Sequence, residues 1–191
     1  FLFLALRDPN GLAFDSPARG VQAGWESWRW FLDFLFTPDQ QLSAFDNAVA
    51  LAKQSIDDPG YKVKVFIMIP NPRMETEDFG DPTGLGRSLD FSPFPARWEE
   101  ALQDRTAAVE AYLDELLARW EAHQFEHLEL VGLYWLGESM QGPADYELVR
   151  RVTALVHERD LKLLWIPYFG AGGWSNWQAI GFDAAVYQPN Y

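Results

Sequence analysis

Five short apolar runs, separated by polar segments, constrain the fold of this chain more than any other feature of its sequence. Each run has the length of a β-strand and consists largely of bulky or β-branched residues in nearly continuous order. That pattern is typical of strands that are covered on both faces. The runs occupy residues 1–6, 62–69, 128–135, 161–166 and 184–188.

Segments with the periodicity of amphipathic helices lie between these runs. In each of them, apolar side chains recur at steps of three and four residues, which places them on one face of a helix. The segments occupy residues 38–56, 96–124 and 145–158. Strand and helix therefore alternate, and this alternation predicts right-handed βαβ crossovers and a parallel sheet with helices outside it.

The length of the chain limits how much of a parallel fold it contains. A (β/α)8 barrel typically needs about 250 residues, whereas this chain has 191. We therefore predict an α/β fold, a partial (β/α)8 TIM barrel with five parallel strands and outer helices, as a single domain over residues 1–191. The chain starts inside an apolar run and stops directly after one, so we expect truncation at both ends. An open doubly wound sheet is the competing architecture.

Charge and composition exclude several classes of partner. The chain has 15 basic and 28 acidic side chains, which give a formal net charge of −13. An excess of carboxylates repels nucleic acid and anionic lipid. No apolar run reaches the roughly 18 residues that a membrane span requires. We therefore predict neither nucleic-acid binding nor membrane insertion, and the 16% aromatic content indicates a chain that forms a core.

Neither a metal site nor a cofactor is expected from the sequence. The chain contains no cysteine, which excludes thiolate ligands, and its three histidines lack the spacing of a ligand set. The glycine-rich segment 170–173 invites a phosphate interpretation, but the dinucleotide fingerprint would require Gly in place of Ser175. A phosphosugar enzyme that uses these glycines is a further functional alternative, against which the acidic balance of the chain weighs.

Polar clusters follow each apolar run, at the end of a parallel strand where α/β folds build their sites. The connections after the first two runs, residues 7–24 and 70–95, are unusually long, and long loops there are more often functional than accidental. Carboxylates, amides and aromatic faces suit a polyhydroxylated ligand such as a sugar. The alternative is that these residues only terminate strands and shape turns. The predicted substrate-binding residues are Arg7, Asp8, Asn71, Tyr134, Trp135, Tyr168, Trp174, Gln188, Asn190 and Tyr191.

Glu138 is the sharpest candidate for a catalytic group. Counting by twos along the third run places it in phase with Tyr134, so a continuing strand would point its side chain inward at the rim. Desolvation beside Tyr134 and Trp135 favours the acid form of a carboxyl group and hence a role as general acid. The alternative is a carboxylate that is salt-bridged to Arg7 or Arg73.

Two of the predicted binding residues have a structural alternative each. Trp174 follows the glycine-rich connection, where an exposed indole could stack on a pyranose ring. Its alternative is a short amphipathic helix that buries it together with Trp177. Asp8 lies in a turn-forming Arg-Asp-Pro-Asn string, where capping the turn is the alternative to ligand binding.

The chain also shares sequence strings with a known family. In chain order, the strings are FLFLAL, KVFIMIPNP, LELVGLYWLGES, KLLWIPYF and GFDAAVYQPNY. With these strings, which include the WIPY and QPNY tetrads and the pattern YW-x-x-E, the chain resembles the bacterial family called domain of unknown function 4855 over essentially its whole length. The resemblance implies a glycosidase-like (β/α)8 barrel in an exported or cell-surface protein. It also implies that Glu138 is the family's strand-end acid and that residues 165–168 and 188–191 are its rim motifs.

These observations together predict a carbohydrate-active protein. We expect a glycoside hydrolase that acts on a bacterial or plant oligo- or polysaccharide, with Glu138 as general acid/base. Glycoside hydrolysis normally uses two carboxyl groups, and only one is well placed in the sequence. The second would come from Asp8, from residues 75–78 or from segments beyond this chain, and the last source is favoured. The alternative is a barrel of a cell-surface protein that binds glycan without cleaving it.

Overall fold

A parallel sheet of five strands runs through the part of the chain that the structure describes, residues 1–16, 20–56 and 58–189 of a computed structural model. Each strand pairs with its neighbours in sequence, in the order β1-β2-β3-β4-β5. This confirms the predicted parallel α/β fold. A doubly wound sheet reverses its strand order at a switch point, and the described strands show no reversal, which favours the order of a (β/α)8 barrel. The strands are β1 (Leu2–Phe3), β2 (Val63–Ile69), β3 (Leu128–Trp135), β4 (Lys162–Trp165) and β5 (Ala184–Ala185).

Helices connect the strands and cover the sheet. The three helices that periodicity predicts form within a few residues of the expected bounds, as α2, α3 and α4, and α1 is an additional helix in the first connection. None of the helices in the described ranges is long and apolar enough to cross a membrane. The helices are α1 (Trp25–Leu35), α2 (Gln41–Lys53), α3 (Trp98–His123), α4 (Pro143–His157) and the short α5 (Trp177–Ile180), which a 3-10 turn (Trp174–Asn176) precedes.

The two edge strands are shorter than the apolar runs that predict them. Edge strands have a partner on one side only, so fewer ladder hydrogen bonds hold them. After Phe3 the backbone leaves the ladder, and the N–H of Ala5 donates to the sulfur of Met68 at 3.2 Å. The central strand β3, paired on both sides, has the bounds that its apolar run predicts.

The core lies between the sheet and the outer helices. On β2, the side chains of Val63, Val65 and Ile67 are buried, whereas Lys64 between them is exposed. The hydroxyl of Tyr112 on α3 donates to the carbonyl of Met68 at 2.8 Å. This hydrogen bond fixes the longest helix against the sheet, because a buried hydroxyl without a partner would be costly.

Trp28 on α1 joins the first connection to the second. Its ring makes edge contacts with Phe79 and Tyr112, at centroid distances of 4.8 and 5.7 Å. The N–H of Trp25, at the start of the same helix, donates to the carbonyl of Phe79 at 2.7 Å. Helix α1 is therefore packed against the long loop that follows β2 as well as against α3.

The loop between β2 and α3 is anchored by Asp104 of α3. This buried carboxylate accepts two hydrogen bonds from Arg87, at 2.8 and 2.5 Å, and one from the backbone N–H of Asp90 at 3.0 Å. Burial acts to raise the pKa of Asp104, but the hydrogen bonds from Arg87 and Asp90 outweigh it, and the pKa is lowered from its ordinary value of 3.8. The loop therefore depends on the ionised form of Asp104.

We expect Asp104→Asn to destabilise the protein in a pH-dependent way. A carboxyl group whose pKa is lowered on folding stabilises the fold above its unfolded pKa and loses that effect as pH falls through the folded pKa. The substitution should cost about 1–3 kcal/mol at pH 7. The cost should shrink progressively as the pH falls below about 4, measured as the free energy of urea-induced unfolding. Asp114→Asn, which breaks an exposed pair with Arg159, is the control and should cost less than about 1 kcal/mol. A cost that is independent of pH would contradict the role of the charge.

Gly132 allows β3 to lie close to β4, and a side chain at this position should disrupt the sheet. A Cβ there would clash with the carbonyl of Lys162 and lie 2.7 Å from the ring of Phe66. We expect Gly132→Ala to lower the free energy of unfolding by about 1–3 kcal/mol. Gly60→Ala is the control, because a Cβ there would meet only the carboxylate of Asp58 at 3.5 Å. Equal urea midpoints for the two variants would show that the close approach is not needed.

Candidate functional site

A cavity of about 460 Å³ opens beyond the C-terminal ends of β2, β3 and β4. This is the edge of a parallel sheet at which α/β folds place their sites. Four carboxylates and two guanidinium groups line it together with two amides, two serine hydroxyls and one phenol ring. The lining residues are Asp15, Ser16, Asn71, Arg73, Met74, Glu75, Arg105, Leu136, Glu138, Ser139, Gln141, Asp145 and Tyr168.

Glu138 lies in the cavity wall, three residues after the end of β3. Its Oε1 accepts a hydrogen bond from Nε2 of Gln188 at 3.3 Å, and the same amide donates to the carbonyl of Ile166 at 2.9 Å. Within the described residues, Glu138 forms no ion pair with Arg7 or Arg73, and Arg73 instead pairs with Glu75 at 3.3 Å. The predicted alternative of a salt-bridged Glu138 is therefore not what the structure shows.

Asp15 supplies a second carboxylate to the same cavity, and it was not among the residues predicted from the sequence. It is 7% exposed and belongs to the long loop that follows β1. Asn71 connects this loop to the next one, because its side chain donates to the carbonyl of Asp15 at 3.0 Å and its backbone N–H donates to the carbonyl of Phe14 at 2.8 Å. The two long loops thereby place Asp15 and Glu138 in one cavity.

Tyr134 is buried at the end of β3 and interacts electrostatically with both of these carboxylates. Burial raises the pKa of the Tyr134 hydroxyl well above its ordinary value of 10.0, and the negative charges of Glu138 and Asp15 raise it further. The hydroxyl therefore stays protonated at any physiological pH. Both carboxylates therefore lie within electrostatic range of the same phenol.

A buried ion pair forms another wall of the cavity. Arg105 of α3 donates from Nη2 to Oδ1 of Asp145 at 2.7 Å and from Nε to the carbonyl of Pro72 at 2.6 Å. The other carboxylate oxygen of Asp145 accepts the backbone N–H of Gln141 at 2.8 Å. These bonds join α3, the start of α4 and the loops after β2 and β3.

Arg73 also lines the cavity, and one nitrogen of its guanidinium group is not used in a hydrogen bond within the described residues. Its side chain is largely buried, and its Nη1 has no hydrogen-bond partner in the described ranges. An unpaired buried donor is costly, so a polar ligand group that reached it would gain more than one that reached a solvated arginine.

Only some of the predicted binding residues lie at the cavity. Asn71 and Tyr168 line the cavity with Glu138, and Gln188 holds Glu138 by a hydrogen bond. Tyr134 and Trp135 are buried at the end of β3 and are not among the lining residues. Trp174 is exposed, so it is not buried as the amphipathic-helix alternative requires. The short helix α5 does form, and Trp177 at its start packs partly against the core. Asn190 and Tyr191 lie outside the described residues.

Asp8 and Arg7 lie away from the cavity. The Oδ1 of Asp8 accepts the backbone N–H groups of Asn10 and Leu12, at 2.9 and 2.8 Å, and its Oδ2 accepts the hydroxyl of Ser27 at 2.8 Å. Asp8 is therefore engaged in shaping the first loop, which is the capping alternative. Arg7 is exposed and is not a lining residue.

A model of the family described as a domain of unknown function (DUF4855) matches residues 1–191, the whole chain. The chain belongs to the DUF4855 family. Both long loops and every lining residue of the cavity lie within the matched DUF4855 region. Comparison with curated proteins and with solved structures gave no match.

The described part of this DUF4855 chain shows neither a phosphate cradle nor a metal centre. The N–H of Gly172 donates to the hydroxyl of Ser139 at 2.9 Å, and the N–H groups of Ala171 and Trp174 donate to nearby carbonyls. Amides used inside the fold are not available to a phosphate group. Within residues 1–16, 20–56 and 58–189, no group of His, Asp and Glu side chains is placed to hold a metal ion.

Breaking the buried pair of this DUF4855 cavity should destabilise it strongly. We expect Arg105→Met to cost about 3–5 kcal/mol, because it leaves Asp145 buried without its counter-charge. The double variant Arg105→Met with Asp145→Leu should cost less than the sum of the two single variants, as measured by urea unfolding in a double-mutant cycle. Arg151→Met is the control, because Arg151 forms exposed pairs with Glu99 and Glu147. Strictly additive costs would contradict the coupling.

Proposed function

We propose that this DUF4855 domain is a carbohydrate-active protein, specifically a glycoside hydrolase acting on a bacterial or plant polysaccharide, with Glu138 as its general acid/base. The observation that supports this most is the presence of two carboxylates, Glu138 and Asp15, in one cavity at the C-terminal edge of the sheet. Amides and a phenol surround them, and such groups bind sugar hydroxyls and ring faces.

Two carboxyl groups are what glycoside hydrolysis requires. One protonates the oxygen of the leaving sugar, and the other acts as a base toward water or as a nucleophile toward the anomeric carbon. We assign the role of general acid to Glu138, because it closely follows the central strand and its position is held by Gln188. Asp15 is then the base or nucleophile.

The choice of Asp15 replaces the sources that the sequence suggests for the second carboxyl group. Asp8 uses both of its oxygens in the first loop. Glu75 lines the cavity but is mostly exposed and pairs with Arg73. Asp15 is buried in the cavity wall and acts electrostatically on the same tyrosine as Glu138, which supports it as the second acidic group of the proposed reaction.

The charge of the cavity agrees with a neutral substrate. Arg73 and Arg105 are each paired with a carboxylate of the cavity, Glu75 and Asp145 respectively. Among the described lining residues, four carboxylates outnumber two guanidinium groups, and this excess of negative charge repels anionic sugars. We further propose an exported or cell-surface bacterial location, and this part of the proposal depends on the family resemblance alone.

The proposal is tested on the intact protein that contains residues 1–191, with a panel of bacterial and plant polysaccharides and a reducing-end assay. We expect Glu138→Gln and Asp15→Asn each to lower kcat/KM by at least about 100-fold, because each removes a proton-transfer or nucleophilic group. Glu77→Gln is the matched control, since Glu77 is an exposed acid of the second loop that does not line the cavity. Wild-type turnover by Glu138→Gln would show that the acid is assigned wrongly.

A different result would favour the alternative function. If the intact protein binds a glycan of the panel and releases no new reducing ends, the cavity is a glycan-binding site without hydrolytic activity. In that case Glu138→Gln should change binding affinity by less than about tenfold, because the carboxylate would be one polar contact among several. Glycan arrays measure this directly.

A further inference from the structure

Four exposed aromatic rings lie beside the cavity, and we call them the aromatic patch: Tyr168, Phe169, Trp174 and Tyr187. Trp174 and Tyr187 are 47% and 46% exposed, and the other two rings are exposed to a similar degree. Contiguous exposed apolar surface on a folded protein commonly marks a binding site. A cluster of four exposed rings therefore points to a binding role, whereas a single exposed ring would not.

The rings of the aromatic patch are held in position by one another. The hydroxyl of Tyr187 donates to the carbonyl of Phe169 at 2.5 Å. The rings of Trp174 and Tyr187 lie 5.3 Å apart at an angle of 48°, and those of Tyr168 and Phe169 lie 6.0 Å apart at 79°. A ligand that packs on these rings needs little further ordering of side chains, which reduces the entropic cost of binding.

The aromatic patch is continuous with the cavity that contains Glu138. Tyr168 belongs to both, since it lines the cavity. Gln188, the residue after Tyr187, donates its hydrogen bond to Glu138. The loop that carries Trp174 is bonded to the cavity wall, because Gly172 donates to Ser139 and its carbonyl accepts the N–H of Met140 at 3.2 Å.

The chemistry of the aromatic patch fits an uncharged ligand with alternating apolar and polar edges. No Asp, Glu, Lys or Arg occurs from residue 168 to residue 180, so this segment offers an ionic ligand no counter-charge. The exposed side chains of Ser175 and Asn176 lie next to Trp174 in sequence and can donate to and accept from hydroxyl groups. An indole or phenol face packs on the C–H face of a sugar ring.

We propose that the aromatic patch is a subsite for a second sugar ring, and that the substrate is a chain of sugars which runs from the cavity across Tyr168 to Trp174 and Tyr187. This inference rests on the proposed function, because it takes the cavity to hold the first ring. A subsite of this kind makes single sugars weak ligands, and affinity increases once the oligosaccharide is long enough to reach Trp174.

The test is calorimetric binding of cello-, xylo- and chito-oligosaccharides, from monosaccharide to hexasaccharide, to the intact protein carrying Glu138→Gln. We expect affinity to increase with chain length, and Trp174→Ala to remove about tenfold of that increase while binding of the monosaccharide is unchanged. Trp174→Phe keeps an aromatic face and should retain most of the increase. Trp98→Ala is the matched control, since Trp98 is an exposed tryptophan outside the patch, at 56% exposure.

Two outcomes contradict the inference, and they are distinguishable. If Trp174→Ala shows the same length dependence as its parent, the subsite is wrong, while turnover that depends on Glu138 would still support the proposed function. If the parent protein binds none of these sugars, the proposed function fails and the subsite with it.

A second measurement keeps the indole in place. Bound hexasaccharide should shield Trp174 from acrylamide quenching, and this shielding should be absent from Trp174→Phe. An equal change in quenching for both proteins would overturn the inference.

Discussion

The guanidinium of Arg105 is the point at which helix α3, the start of α4 and the loop after β2 are joined. Its bonds to the carbonyl of Pro72 and to the carboxylate of Asp145 are buried. A buried charge is tolerated only where its partners are fixed in good geometry, so these three elements hold one arrangement or lose it together. The polar walls of the cavity are built on that arrangement, and the second long loop is anchored to the same helix through Asp104.

The two long loops hold each other as well as the helix. Asn71 donates to the first loop at Asp15 and accepts, through its carbonyl, the side-chain amide of Gln22 at 2.9 Å. Loops on the surface of α/β proteins are usually the mobile and variable part of the fold. Here hydrogen bonds connect Asn71 with Asp15 and with Gln22 of the first loop, and these bonds hold Asp15 in position relative to Glu138, which lies just beyond the central strand.

The sequence predicts the bounds of a strand well where the strand has partners on both edges, and less well at the edges of the sheet. Strand β3 is paired along both edges and is buried from Gly132 to Trp135, so its apolar run gives its bounds directly. The edge strands depend on fewer hydrogen bonds, and their apolar runs overestimate their length. The choice between a barrel-like order and a doubly wound sheet depends on which strands pair, and local periodicity contains no information about that.

The candidate site was predictable for Glu138, which closely follows a strand, and not for Asp15, which lies in the long first loop. Glu138 follows from the two-residue period of β3, and the Asp-Pro-Asn-Gly string already signals the capping role of Asp8. The sequence places Asp15 in a long loop but says nothing about where it points. Its position results from hydrogen bonds between segments 56 residues apart, and no local pattern encodes them.

The interlocked first loop also determines where this domain can change length. Ala13 forms short bridges with Arg7 and Gln22, which fix the backbone that leads into Asp15. An added residue there would move the carboxylate of Asp15 relative to that of Glu138. The distance between the two carboxylates therefore depends on the length of that loop. The exposed turn at residues 58–62 does not position either carboxylate, so insertions are tolerated there. We expect related domains to vary in length at this turn and to keep the length of the first loop.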